Sequence, residues 1–243
     1  MRRANSGRNS VYIEIIRPVS EKPMAIEGMR MTVEVFSDIM CPFCLLGKHR
    51  FANALARFAY RDDVDVIWRS FQLDPGLRTD PAVSVNEYLA RRKGIDVDDA
   101  KRMNDQLTRI GSQEGLVYNF DRAIPANTFD AHRLLHFARE HDKQSEMMER
   151  LFAAYFTEGK NVADPAVLAD LANDVGLDPA ITAAMLASTR YADQVRSDLR
   201  EAAQFGINGV PFFVFDRRYA VYGAQGASVF LEALEQSYAA TDV

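Results

Sequence analysis

Cysteine is scarce in this chain, two in 243 residues, and tryptophan occurs once. A framework held by several disulfides is therefore excluded. No stretch approaches the roughly 20 consecutive apolar residues of a membrane-spanning helix. Neither charge sign dominates: 29 Lys and Arg stand against 34 Asp and Glu, interspersed along the chain. That balance argues against a nucleic-acid groove and against an anionic membrane surface as partners. The basic runs Arg91-Arg92-Lys93 and Arg217-Arg218 are short enough to read as solvated surface or turn. What is abundant is apolar content, 48% of residues, enough to bury a full core as one domain or a domain with a large insertion.

Both cysteines fall in one tetrapeptide, Cys41-Pro42-Phe43-Cys44. Two intervening residues, wound as the first turn of a helix, bring the sulfurs within disulfide reach. The first thiol then sits at the helix tip, where unpaired N–H groups and the positive end of the dipole favour thiolate over thiol. Cys41 is thus the candidate nucleophile. Cys44, Phe51, Leu55 and Phe58 lie on one amphipathic face, so the second thiol points towards the core as resolving partner. Pro42 suits the first helical position, and Val33-Glu34-Val35-Phe36 upstream reads as a strand. A strand-to-helix junction is the context in which this spacing reads as a thioredoxin-like redox site. A zinc site is the competing reading, since His132 and His136 share metal-ligand spacing. Those two histidines, nearly ninety residues away, read instead as one polar helix edge, and no metal is expected.

Residues 1–30 read as a leader, disordered or upstream of the true start. Glu14, Arg17 and Pro18 interrupt any signal-peptide core, and Met24, Met29 and Met31 all precede the first strand. The expected location is cytoplasmic, a reducing compartment in which a lone cysteine pair is a working site rather than a staple.

Strand, helix, strand over 31–76 is a βαβ start, with Val64-Asp65-Val66-Ile67-Trp68 as the second strand. From about 77 to 206 the pattern is helical, six or seven helices. Ser84 to Glu87 has the form of a capping box, Asp164-Pro165 and Asp178-Pro179 mark helix starts, and Gly176 and Gly206 mark stops. Over 207–243, Phe212-Phe213-Val214-Phe215 and Tyr219-Ala220-Val221-Tyr222 form a hairpin, and a final helix packs Val229, Phe230, Ala233, Leu234 and Tyr238 on the sheet. Val210 before Pro211 is biased to extended backbone.

Several spaced motifs, in order over residues 31 to 240, carry a family resemblance. They are Ser37-Asp38 before the cysteine pair, Phe71-Gln72-Leu73-Asp74-Pro75, Asn127-Thr128 with Ala131-His132-Arg133-Leu134, Gly209-Val210-Pro211-Phe212-Phe213, and Gly223-Ala224-Gln225. Together they resemble the DsbA-family thiol-disulfide oxidoreductases, in particular their cytoplasmic FrnE-like branch. The resemblance implies an α/β, thioredoxin-like fold with a large all-helical insertion domain, and a cis proline at Pro211 facing the cysteine pair. It further implies Cys41 and Cys44 as catalytic residues, with Pro42, Phe43, Val210, Pro211, Asn127 and His132 contacting substrate. The Val210 backbone would align an extended substrate strand, and Asp38 would tune or accept a proton. Phe43 stands where a tryptophan is expected in that branch. It brings no charge to stabilise a thiolate, so a less oxidising couple than the periplasmic members is expected.

The implied activity is reduction or isomerisation of protein or small-molecule disulfides. The pair would be regenerated by a thioredoxin-like protein or by a low-molecular-weight thiol, with glutathione as a co-substrate and no bound cofactor. A more distant similarity to kappa-class glutathione transferases and 2-hydroxychromene-2-carboxylate isomerases offers a second reading, although a serine usually replaces Cys41 there. A third is a chaperone-like module whose groove is lined by Met147, Met148, Leu151, Phe152, Tyr155 and Phe156.

Overall fold

The run Met31–Ser37 forms β2, a strand buried along its whole length except at Thr32. It joins the two ends of the chain. On one side it lies parallel to β3 (Val64–Ser70), on the other antiparallel to β4 (Phe212–Phe215), and β4 pairs in turn with β5 (Tyr219–Tyr222). The hairpin turn is closed by the Arg218 N–H on the Phe215 carbonyl at 2.9 Å. Asp216 and Arg217 between them have positive φ, 46° and 54°, the turn geometry that matches strand twist.

This computed structural model describes residues 13–15 and 30–240. The leader expectation needs one correction. Ile13–Ile15 forms β1, antiparallel to β5, and completes a sheet of order β1-β5-β4-β2-β3. The segment meets the open edge of β5, whose N–H and C=O groups on that side template another strand. The remainder of the leader lies outside the described residues.

Helices cover both faces. α1 (Pro42–Leu55) and α9 (Ala227–Ala239) lie together on one, where the Phe51 ring is 5.4 Å from Phe213, 6.3 Å from Phe215 and 5.7 Å from Phe230. The inserted block runs through α2 (Val85–Lys93), α3 (Val97–Gln113), α4 (Phe129–Arg139), α5 (Gln144–Phe152), α6 (Pro165–Asp174), α7 (Pro179–Leu186) and α8 (Ala192–Gln204). Its start signals act as their chemistry demands: Ser84 and Glu87 form a reciprocal capping box, and Asp164 and Asp178 cap helices opened by proline. Gly176 and Gly206 take positive φ just past helix ends. α8 packs across the opposite sheet face. α5 closes the β3 edge, where the Gln144 amide both accepts from the Trp68 N–H and donates to the Trp68 carbonyl, each at 3.0 Å. One side chain thereby imitates a paired strand.

The stripe of Met147, Met148, Leu151, Phe152, Tyr155 and Phe156 is not a groove. All six are at most 3% exposed and form the centre of the insertion core, as methionine and aromatic stripes at helical spacing do.

Candidate active site

The strand β2 ends at Ser37, and three residues later the chain turns into α1. Cys41 is the N-cap, with extended backbone (φ −88°, ψ 112°), and Pro42 occupies the first turn. Its missing N–H is one that a helix start leaves unpaired anyway. The Cys41 N–H donates to the Asp38 carbonyl and the Cys44 N–H to the Cys41 carbonyl, both at 3.0 Å. The two thiols are unbonded, and both are buried. Phe43 between them is 47% exposed, so the apolar surface at the helix tip belongs to the residue separating the cysteines.

The thiols are chemically unequal. Burial pushes the Cys44 thiol well above the ordinary range, and its hydrogen bond with the Cys41 sulfur adds to that effect. Cys44 is therefore a protonated thiol at neutral pH, while Cys41 sits at the helix start. The Cys41 Sγ lies 3.5 Å from the Val210 carbonyl oxygen, and the Val210–Pro211 peptide is cis. This brings the two ends of the chain together at one point. Gly47 makes the approach possible: a Cβ there would fall 2.8 Å from Pro211 Cγ. A glycine inside a helix costs up to about 1 kcal/mol relative to alanine.

Close in sequence to the cysteines lies Asp38, one of a buried polar pair. Asp38 is fully buried, and one carboxylate oxygen accepts from the Leu73 N–H at 2.7 Å. The other has no hydrogen-bond partner and lies 3.7 Å from His132 Nε2. His132, also fully buried, donates from Nε2 to the Phe71 carbonyl at 2.9 Å, leaving Nδ1 unpartnered. With no exposed surface, His132 cannot meet a substrate directly, which corrects its expected role as a contact. It is part of the wall behind Asp38.

Asn127 is likewise committed to its own chain. Its side chain donates to the Pro75 and Leu77 carbonyls and accepts from Gln72 and from the Phe129 N–H, and its N–H donates to Thr79. It pins the 72–79 segment to the start of α4. A cleft of about 570 Å³ opens there, walled by Gln72, Pro75, Thr79, Asn127, Phe129 and Asp130. Neither cysteine lines it. His136 contacts Ser70 and Asp198 at 3.1 and 3.0 Å, so the two histidines serve the α4 packing. No group of three or more His, Cys, Asp or Glu among the described residues could hold a metal ion.

The insertion supplies residues the sequence did not reveal. Tyr118 donates its hydroxyl to the Pro42 carbonyl at 2.7 Å. Burial raises the Tyr118 phenol far above its ordinary value, and the two cysteines push it further. Tyr155 sits on a π-helical turn, Ala153–Glu158, that follows α5; such turns recur at functional sites. Its phenol too is raised by burial, then by Asp38 and Cys41 among its neighbours. Arg50 of α1 bonds Glu114 at the end of α3 and the Ala224 carbonyl, and Lys48 pairs with Glu149 of α5. Tyr118 lies in a loop with no periodic signature, so only the tertiary structure brings it to Pro42, whereas Tyr155 belongs to the helically spaced stripe of the insertion core.

Comparison with known proteins agrees with this geometry. The DSBA-like thioredoxin domain matches residues 32–235. The YwbO protein of Bacillus subtilis (strain 168) is 32% identical over 210 residues, covering 85% of this chain and 96% of its own length. The crystal structure of a probable DsbA oxidoreductase from Streptomyces coelicolor superposes with a TM-score of 0.81 at 43% identity, over 86% of this chain and 91% of that one. The cytosolic disulfide reductase DsbM from Pseudomonas aeruginosa shares the fold, with a TM-score of 0.60 at 18% identity, over 85% of this chain and 98% of its own. A thioredoxin sheet completed from both ends of the chain, a helical insertion packed over it and two unequal thiols at one helix start make this chain a member of the DSBA-like thioredoxin domain family.

Proposed function

We propose that the protein is a cytoplasmic thiol-disulfide oxidoreductase that works as a reductase or isomerase through Cys41 and Cys44. The observation that carries the reading is the inequality of the two thiols: Cys41 is the N-cap of α1, while Cys44 lies inside the helix with its thiol raised by burial and by its bond with Cys41. Cys41 thiolate attacks a substrate disulfide, one sulfur leaves as thiolate, and Cys41 is joined to the other in a mixed disulfide. Cys44 then loses its proton and attacks the Cys41 sulfur. The second substrate sulfur leaves, two electrons have passed to the substrate, and the Cys41–Cys44 disulfide has formed. A thioredoxin-like protein or a low-molecular-weight thiol such as glutathione returns the pair to the dithiol.

Around the reacting sulfur, the exposed Phe43 offers an apolar contact and the Val210 backbone an edge for an extended segment. Asp38, three residues before Cys41 and with one buried carboxylate oxygen that has no hydrogen-bond partner, is the candidate to receive the Cys44 proton. The test is equilibration in graded mixtures of oxidised and reduced glutathione, acid quenching, alkylation and mass measurement. A single reversible two-thiol transition is expected. Thiols that never pair, or that hold one glutathione without resolving it, would sink the reading and favour a glutathione-dependent transferase or isomerase. In parallel, Cys44→Ser is expected to accumulate mixed disulfide and Cys41→Ser to lose turnover.

A further inference from the structure

The motif Gly223-Ala224-Gln225 follows directly on β5. The Gly223 N–H donates to the Pro211 carbonyl at 2.8 Å, one rung beyond the Phe212–Tyr222 pair, so the hairpin ladder reaches the residue next to Val210. Gly223 then takes positive φ, 80°, and the Gln225 N–H and side-chain amide close the bend on the Gly223 and Tyr222 carbonyls at 3.0 and 2.9 Å. Between them the Ala224 carbonyl accepts from Arg50 Nη1 at 2.6 Å.

The helix α1 places Arg50 for this contact. Arg50 stands three residues after Gly47, on the same helix face. Gly47 is where α1 comes against both segments, since a Cβ there would fall 2.8 Å from Pro211 Cγ and 3.5 Å from Ala224 Cα. The rest of the guanidinium faces the insertion: Nε donates to both carboxylate oxygens of Glu114, at 2.9 and 3.1 Å, and Nη2 donates to one of them. These bonds hold the Glu114 carboxyl below its ordinary value, so both partners are charged at neutral pH. A planar guanidinium engaged on two sides is fixed in direction as well as in place. A path of hydrogen bonds and peptide links therefore runs from the end of α3 through Glu114, Arg50, Ala224, Gly223 and Pro211 to Val210, whose carbonyl lies 3.5 Å from the Cys41 sulfur.

We infer that Arg50 is a positioning residue, which holds the Gly223–Gln225 bend, and through it the Val210 edge, in register with Cys41, and which thereby sets the affinity for disulfides in extended polypeptide but not for small disulfides. The inference rests on the oxidoreductase reading for its substrate. Its physical ground is ordering. An extended segment binds an edge through main-chain hydrogen bonds, and an edge that must be ordered on binding gives up part of that affinity. A small disulfide needs only the Cys41 sulfur and is indifferent to the edge.

The test uses the whole chain, reduced, in single turnovers. One substrate is a short unstructured peptide whose single cysteine is joined to 5-thio-2-nitrobenzoate; the other is the symmetrical disulfide of that thiol. In each, Cys41 attacks the disulfide, Cys44 displaces the second sulfur, and two thiols leave as the Cys41–Cys44 disulfide forms. Arg50→Met keeps an apolar stem and removes the donors. Its half-saturating peptide concentration is expected to rise about five- to tenfold, with the limiting rate and the rate on the small disulfide within about twofold of wild type. By nuclear magnetic resonance the Gly223 amide should exchange with solvent about tenfold faster while the amides of β4 keep their rates. Glu114→Gln weakens the far end of the path and should give the same changes at smaller size, and Arg50→Lys, a point charge instead of a fork, should recover part of the loss. Those two variants decide the matter should Arg50→Met fail to fold. A melting temperature that falls while the Gly223 amide or the peptide half-saturation stays put overturns the inference, and so does an equal loss on both substrates. If the Gly223 amide is selectively released but wild type forms no Cys41–Cys44 disulfide with either substrate, Arg50 keeps its positioning role and the oxidoreductase reading falls.

Discussion

On the α1 side of the sheet, Phe51 meets Phe213, Phe215 and Phe230 in a fully buried aromatic cluster. On the α8 side, Glu34 of β2 accepts from Arg69 of β3 and from Arg217 of the hairpin turn. Arg69 also reaches Asp198 of α8 at 3.1 Å, and Arg217 reaches Glu201 at 2.8 Å. The first face is joined by area, which is non-directional and tolerates any shape that fills the space. The second is joined by charges whose partners must be in place, because one buried ion without its counterpart is costly. The aromatic face thus welds the two ends of the chain into one domain. The ionic face specifies where the last helix of the insertion docks on that domain.

The largest effect is expected from breaking the aromatic face. Phe213→Ala leaves a cavity among three other phenylalanine rings and should cost about 3–5 kcal/mol, read as a fall in the urea midpoint. A loss below about 1 kcal/mol would mean that the cluster collapses freely and that the contrast between the faces is false.

The ionic face is tested by Asp198→Asn, expected to cost about 2 kcal/mol at neutral pH through the weakened bonds to Arg69, His136 and the Ser70 N–H. Burial alone would raise the Asp198 carboxyl, but His136, the Ser70 N–H and Arg69 together hold it below its ordinary value. A depressed folded value means that the unfolded chain binds the proton first as pH falls. The Asp198 contribution is therefore complete above the ordinary carboxylate value of about 4 and fades as pH drops through the lower folded one. Urea titrations from pH 7 to 3 should show the wild-type advantage over Asp198→Asn shrinking towards acid. An advantage that is constant with pH would assign the cost to packing instead.

A smaller effect, of opposite sign in pH, belongs to the site itself. The Cys44 thiol is raised in the folded state by burial, so its stabilising contribution is complete below the ordinary thiol value of about 8.5 and declines as pH rises above it. The decline is about 1.4 kcal/mol per unit over the first units. The reduced protein should lose stability between pH 8.5 and 10, and Cys44→Ala should remove that alkaline dependence. If both chains decline alike, Cys44 is not the group responsible.

Local chemistry made much of this molecule readable before any coordinates. The strands at Phe212–Phe215 and Tyr219–Tyr222, the capping box at Ser84, the proline-opened helices after Asp164 and Asp178, and Cys41 at a helix start all arise from contacts within a few residues. Such contacts are written in neighbouring letters. The burial of His132 was not legible, since exposure depends on the whole packing. Asn127, expected as a substrate contact, accepts from the Phe129 N–H at the start of α4, a partner only two residues away. The Tyr118 bond to Pro42 and the Gly47 contact with Pro211 involve partners 76 or more residues away, and no pattern near them announces the meeting.

By itself, then, the amino-acid sequence determined the elements, the order in which they come and the pair of thiols at the start of α1. Short-range sterics, capping and hydrophobic periodicity are enough for those. The unequal roles of the two thiols were already expected from the helix start; only the tertiary structure decided that burial raises Cys44, that Gly47 admits Pro211 and that a tyrosine from the insertion bonds the Pro42 carbonyl. Burial and long-range hydrogen bonds exist only once distant segments have been brought together, and those are the quantities that set a thiol's chemistry.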